Sequence, residues 1–126
     1  MIDGIEAHYQ TIADSIVEVI GEPWTRAWID AIFFSESIEF TGGYVGEDAR
    51  PRSFGPKRPA RNAIREIREL FRRAGKPLWG RTHFELHSDG KFDMTWSYDD
   101  CDEDGNARFD EVAERKRHQA LIDSLG

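Results

Sequence analysis

Two runs of alternating apolar and polar residues, joined by a tight turn, set the strongest limit on the fold of this chain. Successive side chains of a strand point to opposite faces, so each run has one apolar and one polar face. Between them, Ser88-Asp89-Gly90-Lys91 has the composition of a turn, in which Gly90 is free to adopt a positive φ. Residues 78–99 therefore predict an antiparallel hairpin with one face on a core and the other in water. The apolar positions are Thr82, Phe84 and Leu86 in the first run and Phe92, Met94, Trp96 and Tyr98 in the second.

Periodic apolar residues predict a helix near the start of the chain. Isoleucines and one tyrosine recur at steps of three and four residues up to Ile20, which is typical of one face of an amphipathic helix. We expect the helix to end there, because Gly21 and Pro23 follow. Residues 24–34 then predict a strand covered on both sides. A second strand follows and is expected to bulge or end at Gly42-Gly43.

The order of the remaining elements predicts the fold class. Residues 46–59 contain three prolines and predict a loop, Ala60 to Ala74 predicts the second helix, and about Asn106 to Leu125 predicts the last. The order is α-β-β-α-β-β-α. It predicts an α+β fold, in which a single layer of about four antiparallel strands (two hairpins) is packed with three helices. At 126 residues, we expect one domain spanning residues 1–126.

Charge is segregated along the chain. Residues 1–49 hold ten acids and one base, residues 50–91 hold four acids and twelve bases, and residues 92–126 hold ten acids and four bases. This pattern predicts either an acidic face that suits a basic partner or ordinary solvated surface of both signs. The single Cys101 and the absence of a signal-peptide pattern predict a cytoplasmic protein, and no run is apolar enough for a membrane helix.

Four arginines of the second helix recur at steps of four, three and four residues, which predicts that they lie along one exposed face. Cation clusters of this kind bind phosphate backbones, so a small nucleic-acid-binding regulatory module using helix 60–74 is the alternative function. The net charge of -7 argues against direct binding of nucleic acid, and a solvated or salt-bridged face is the simpler explanation. The four residues are Arg61, Arg65, Arg68 and Arg72.

Residues 100–111 match the pattern of a calcium-binding loop. Such a loop needs oxygen ligands at its first, third, fifth and last positions and a glycine at the sixth for a sharp turn. A calcium-binding hand also needs a preceding helix, whereas a strand is expected here. The other explanation is an acidic loop that caps the last helix. The matching residues are Asp100, Asp102, Asp104, Gly105 and Glu111.

Evidence for catalysis is weak. His83, Glu85 and His87 share one face of a predicted strand and offer ligands for a transition metal, but no fourth ligand is identifiable. The chain has no phosphate-binding glycine motif, no nucleophile elbow and no Cys-His signature around Cys101. We therefore expect no enzyme activity, no catalytic residue, no metal and no cofactor.

Several short motifs occur in an order that is similar to a known family. The first helix carries Tyr9-Gln10-Thr11-Ile12-Ala13, and Gly21-Glu22-Pro23-Trp24 follows it. Pro77-Leu78-Trp79 leads into a strand, and Gly90-Lys91-Phe92 opens another that ends at Tyr98-Asp99. In these features the chain resembles the YezG-like immunity proteins, antitoxins of bacterial polymorphic toxin systems. It departs from them in the placement of the proline before Trp24 and in a last helix without the expected aromatic pair.

The resemblance implies a cytoplasmic protein that binds a cognate secreted toxin domain, often a nuclease, and blocks it. Nuclease toxins tend to be basic around their substrate groove, so an acidic surface can occupy that groove and speed association. Two acidic segments are therefore the predicted toxin-binding surfaces, and the oligomeric state is left open. These residues are Asp3, Glu6, Asp14 and Glu18 of the first helix and Asp99, Asp100, Asp102, Glu103 and Asp104 of the loop.

Overall fold

The computed structural model describes residues 2–107 and 118–124 and contains an antiparallel sheet of five strands. The elements in chain order are α1 (Ile5–Val19), β1 (Trp24–Phe33), β2 (Ile38–Gly46), β3 (Pro51–Phe54), α2 (Arg58–Arg73), β4 (Arg81–His87) and β5 (Phe92–Ser97). A further helical segment covers residues 118–124. The strand order across the sheet is β3-β2-β1-β4-β5. The predicted α+β class is confirmed, and the predicted order of elements holds apart from one additional strand; that the chain forms one domain stays a prediction.

The sheet has one strand more than predicted. Residues 46–59 do not form a simple loop, because Pro51–Phe54 pairs with β2 as the edge strand β3. Proline is tolerated at the first residue of an edge strand, where the sheet does not need its missing N–H. The prediction failed because the prolines and glycines of this segment hid a strand of only four residues.

Gly42 and Gly43 neither bulge nor end β2. They make room for aromatic side chains: a Cβ on Gly42 would lie 2.7 Å from the ring of Phe54, and a Cβ on Gly43 would lie 2.5 Å from the ring of Trp28. Both distances are shorter than any normal carbon–carbon contact, so a larger residue at either position would displace a ring. The two glycines therefore allow aromatic rings to pack closely against β2 and do not interrupt the strand.

One face of the sheet packs against α1 and α2 and forms the core. The apolar stripe predicted for α2 is buried, and so are the helix-facing residues of β1 and β4. At one end of the core Trp79 is fully buried and makes edge contacts with Phe33 and Phe71, at centroid distances of 5.4 and 5.8 Å. Such edge-to-face contacts suit the charge distribution of aromatic rings.

The hairpin predicted for residues 78–99 is confirmed as β4 and β5. In its turn, the N–H of His87 donates to the carbonyl oxygen of Lys91 at 2.8 Å, and Gly90 has a φ of 93°. Tyr98 lies beyond the end of β5 and is exposed. The alternation of residue types therefore predicted the sides of the two strands correctly.

The helix boundaries agree with the sequence except at the last helix. α1 ends at Val19, one residue before the predicted end at Ile20, and α2 begins two residues before its predicted start, at Arg58, because Pro59 suits the first turn of a helix. The predicted start of the last helix at Asn106 is wrong, because Ala107 pairs with Cys101 in a β-bridge. Residues 108–117 lie outside the described residues. Within the described ranges, no helix has the length and apolar character to cross a membrane.

Candidate partner-binding surfaces

The first predicted acidic surface lies on the side of α1 that faces away from the sheet. The opposite side of α1 carries isoleucines that are buried in the core, so the acidic side chains project into solvent. Asp14 also accepts a hydrogen bond from Nε2 of Gln10 at 2.7 Å. The exposed acids of this surface are Asp3, Glu6, Asp14 and Glu18.

The second predicted acidic surface is the loop that follows β5. Asp102 is directed into the loop: its Oδ1 accepts hydrogen bonds from the backbone N–H groups of Asp104 at 3.0 Å and Asn106 at 2.9 Å. The β-bridge between Cys101 and Ala107 closes the loop. Asp102 therefore maintains the loop conformation, and the other acids are exposed. These are Asp99, Asp100, Glu103 and Asp104.

Arg68 of α2 joins this loop to the core, so its predicted place on an exposed stripe is wrong. Its side chain is only 8% exposed. Its Nε donates to the carbonyl oxygen of Trp79 at 3.0 Å, and one terminal nitrogen donates to the carbonyl oxygen of Gly105 at 2.7 Å. The guanidinium lies 4.6 Å from the ring centroid of Phe33. Burial lowers the pKa of Arg68, and the charge of Arg72 lowers it further.

The sequence contained part of the signal for the burial of Arg68. Arg68 follows Ile64 by four residues and precedes Phe71 by three, so it lies on the apolar stripe of α2. Its acceptor could not be predicted, however, because Gly105 lies 37 residues further along the chain.

Backbone packing holds the same loop at further points. Gly105 is buried with a φ of 78°, and a Cβ there would lie 2.4 Å from the Cβ of Leu78. The N–H of Ala107 donates to the carbonyl oxygen of Phe33 at 2.7 Å. Together with Arg68, these contacts fix the backbone that presents the acidic side chains.

The loop does not adopt the arrangement of a calcium-binding hand. It follows the strand β5, as expected, and the carboxylate of Asp102 already accepts amide hydrogens of its own loop. Glu111 lies outside the described residues. Among the residues that the structure describes, no group of three or more His, Cys, Asp or Glu side chains is placed to hold a metal ion.

The remaining arginines of α2 form an interrupted and partly paired row. Arg65 lies 5.6 Å from the ring centroid of Phe40, and Arg72 pairs with Glu69 at 3.2 Å. A cleft of about 570 Å³ separates this part of α2 from the β1–β2 turn, and it is lined by charges of both signs, including Asp104. A phosphate backbone prefers a row of cations, so the cleft does not favour the nucleic-acid alternative.

The polar face of the hairpin carries a connected network of hydrogen bonds. Nδ1 of His83 lies 2.7 Å from Oδ1 of Asp30, which faces it from β1, and its Nε2 lies 3.5 Å from Glu85. Nε2 of His87 lies 3.1 Å from the other oxygen of Glu85. The hydrogen bond to Asp30 raises the pKa of His83. Sequence reasoning missed Asp30, because the pairing of β1 with β4 was not predicted.

The acidic side chains of α1 and of the fixed loop are exposed, so a partner protein can reach both surfaces. Residues 56–118 match the family model described as immunity protein YezG-like. The chain therefore belongs to the YezG-like immunity protein family, which confirms the resemblance and indicates an immunity role that involves binding a toxin. A search among curated proteins found no match.

The matched range covers half of the chain and includes α2, β4, β5 and the acidic loop. The motifs Pro77-Leu78-Trp79 and Gly90-Lys91-Phe92 lie inside this range, whereas Tyr9-Gln10-Thr11-Ile12-Ala13 lies outside it. One of the two predicted acidic surfaces is thus part of the matched range, and the other belongs to the remainder of the chain.

Proposed function

We propose that the chain binds a cognate secreted toxin domain with nuclease activity and neutralises it by occluding its active site or substrate groove. The observation that carries this proposal is the match of residues 56–118 to an immunity protein family. Occlusion is a binding event, so the proposal needs no catalytic residue and no cofactor in this chain. The setting would be a polymorphic toxin system, such as contact-dependent inhibition between bacteria, with the chain acting in the cytoplasm of the protected cell.

Electrostatics supports an acidic contact surface. A nuclease groove attracts phosphate groups and is therefore rich in cations, and carboxylates of an inhibitor can take the place of phosphates. Complementary charge also speeds association at low salt. The proposed contacts are Asp3 just before α1, Glu6, Asp14 and Glu18 on α1, and Asp99, Asp100, Asp102, Glu103 and Asp104 in the loop.

The fixed conformation of the loop supports its place in the contact surface. Arg68 and the Ala107–Phe33 hydrogen bond hold its backbone before any partner binds. A segment that is already ordered loses less conformational entropy on association, and so retains more of its interaction energy as affinity. The loop is therefore suited to tight binding in spite of its exposure.

The first experiment is a pull-down from the native host at moderate salt, with this chain as bait and mass spectrometry as readout. We expect a toxin domain in a stoichiometric complex. Recovery of nucleic acid without a protein partner would contradict the immunity proposal and support the arginine helix as the functional surface. If a toxin is recovered, its enzymatic assay identifies the reaction and tests the nuclease proposal directly.

Three variants of equal charge change then test the acidic surfaces, with affinity measured against the recovered toxin domain. The loop variant replaces four exposed acids by their amides and leaves Asp102 intact, because Asp102 maintains the loop conformation. The helix variant replaces Asp3, which precedes α1, and the three acids of α1 by their amides. We expect either or both to weaken binding by about tenfold or more, and most at low salt. The control variant replaces four exposed acids elsewhere, Glu39, Glu47, Glu66 and Asp123. Equal effects from all three variants would show that no particular acidic surface is used.

A further inference from the structure

Phe92, the first residue of β5, is a large aromatic ring that is both fixed and half exposed. It lies on the helix-covered side of the sheet, where its neighbours Phe84 and Met94 are buried, yet it is 46% exposed. Its ring stacks on Phe84 with centroids 5.4 Å apart and planes inclined by 18°. It also contacts Tyr9 of α1, with centroids 5.3 Å apart. The ring is therefore held from within the protein and presents its remaining surface to solvent.

A fixed, exposed aromatic ring has the properties of an interface anchor. Aromatic side chains are enriched among the residues that dominate binding energy, because they bury much area at a small cost in rotational freedom. The cost is smaller still for Phe92, since Phe84 and Tyr9 already restrict its ring. Phe92 also lies inside the range that matches the immunity family.

The ring has an acidic neighbour on α1. Glu6 precedes Tyr9 by one helical turn, and its negative charge adds to burial in raising the pKa of Tyr9. Asp93 follows Phe92 and is exposed, but its side chain points to the opposite face of the sheet, where it is paired in register with Glu85. Asp89 in the adjoining turn is also exposed, and Lys91 lies 4.0 Å from it. A partner that covers the ring therefore meets the carboxylate of Glu6 beside Tyr9.

An arginine or lysine side chain of a protein partner fits both features. A guanidinium or ammonium group over an aromatic face gains a cation–π interaction, and a neighbouring carboxylate pairs with the same charge. A second copy of this chain fits less well, because a symmetric contact would bring the carboxylates of both copies together.

We propose that Phe92 and Tyr9, bordered by Glu6, form the anchor site for a cationic side chain of the toxin domain. The inference rests on the proposed function and deepens it, because it locates the contact at the corner between α1 and β5. Glu6 belongs both to this anchor site and to the acidic surface of α1, so the two form one continuous surface.

The test compares Phe92→Ala with Tyr98→Ala, since both aromatic residues are about half exposed, Phe92 at the start of β5 and Tyr98 just after its end. The probe is the toxin domain recovered in the pull-down, in a catalytically inactive form, and the readout is its dissociation constant by calorimetry. We expect Phe92→Ala to weaken binding by about tenfold or more and Tyr98→Ala by less than about threefold. Glu6→Gln should weaken binding by several-fold and reduce its salt dependence.

A further variant separates the anchor from the fold. Phe92→Leu keeps an apolar cover on Phe84 but removes the aromatic face, so we expect weaker binding with thermal unfolding close to that of the original chain. If both Phe92 variants bind the toxin normally, the anchor inference is overturned while the proposed function stands. If the original chain binds no toxin, both fail. If Phe92→Ala turns a dimer into a monomer without changing toxin affinity, the surface joins two copies and the inference is also overturned.

Discussion

Replacement of Arg68 by methionine tests whether a buried guanidinium holds the acidic loop. Methionine keeps an unbranched apolar side chain against Phe33 but removes every donor. The carbonyl oxygens of Trp79 and Gly105 then lose donors that lie at 3.0 and 2.7 Å. Because both acceptors are in a buried region, water replaces these donors poorly.

The size of the effect follows from the same contacts. A hydrogen bond from a charged donor contributes about 1.5–3 kcal/mol, and Arg68 makes two good ones. Methionine avoids the desolvation cost of a buried charge, which offsets part of this loss. We therefore expect the free energy of unfolding to fall by about 2–4 kcal/mol. In a protein of this size, that corresponds to a melting temperature lower by roughly 10 °C.

Urea unfolding followed by tryptophan fluorescence measures this change, with Arg72→Met as the matched control. Arg72 lies on the same helix but is exposed and pairs with Glu69, so its replacement should cost at most about 0.5–1 kcal/mol. Hydrogen exchange should also accelerate at the amides of Asn106 and Ala107 in the Arg68 variant alone. Similar losses in the two variants, or unchanged exchange in the loop, would refute the role of Arg68.

Two further results are expected from other parts of the structure. Because Asp30 raises the pKa of His83, the pair contributes stability that is fully present below the unfolded-state pKa of about 6.5 and is lost as pH rises through the higher folded-state value. Asp30→Asn should flatten this dependence in urea unfolding between pH 6 and 9, and an unchanged slope would contradict it. Gly105→Ala should destabilise the protein by about 1–3 kcal/mol, since φ is 78° and its Cβ would meet Leu78. Gly55→Ala is the control, because its Cβ meets open space, and equal thermal shifts for both would contradict the argument.

Much of the fold could be predicted because the signals are local. Alternation assigned the two sides of β4 and β5, and three- and four-residue spacing assigned the buried stripe of α2. The strand β3 was missed, because prolines and glycines near it are also typical of loops. Gly42 and Gly43 were wrongly expected to bulge or end β2, because glycine often does so in a strand. Their actual role depends on the rings of Trp28 and Phe54, which pack closely against them.

The candidate surfaces depend on contacts that a sequence does not display. The acids of α1 and of the loop were identified from charge alone, and their roles remain predictions. The burial of Arg68 and the pairing of Asp30 with His83 required knowledge of which segments meet in space. The exposure of Phe92 was equally hidden, because the alternation of β5 placed this residue on the core side. The local sequence pattern therefore predicted the helices and strands, whereas the chemical surroundings of each residue depend on tertiary contacts.

The strand order also bears on how this chain can be divided. The family-matched half contributes β4 and β5, and its partner across the centre of the sheet is β1 from the other half. Seven residue pairs, from Arg26–His87 to Ile32–Arg81, join the two halves. A cut near residue 56 would leave an open strand edge on both fragments, so neither is expected to fold alone, whereas the two together should reassemble. Such a pair of fragments would make the proposed neutralisation of a toxin conditional on the association of two polypeptides.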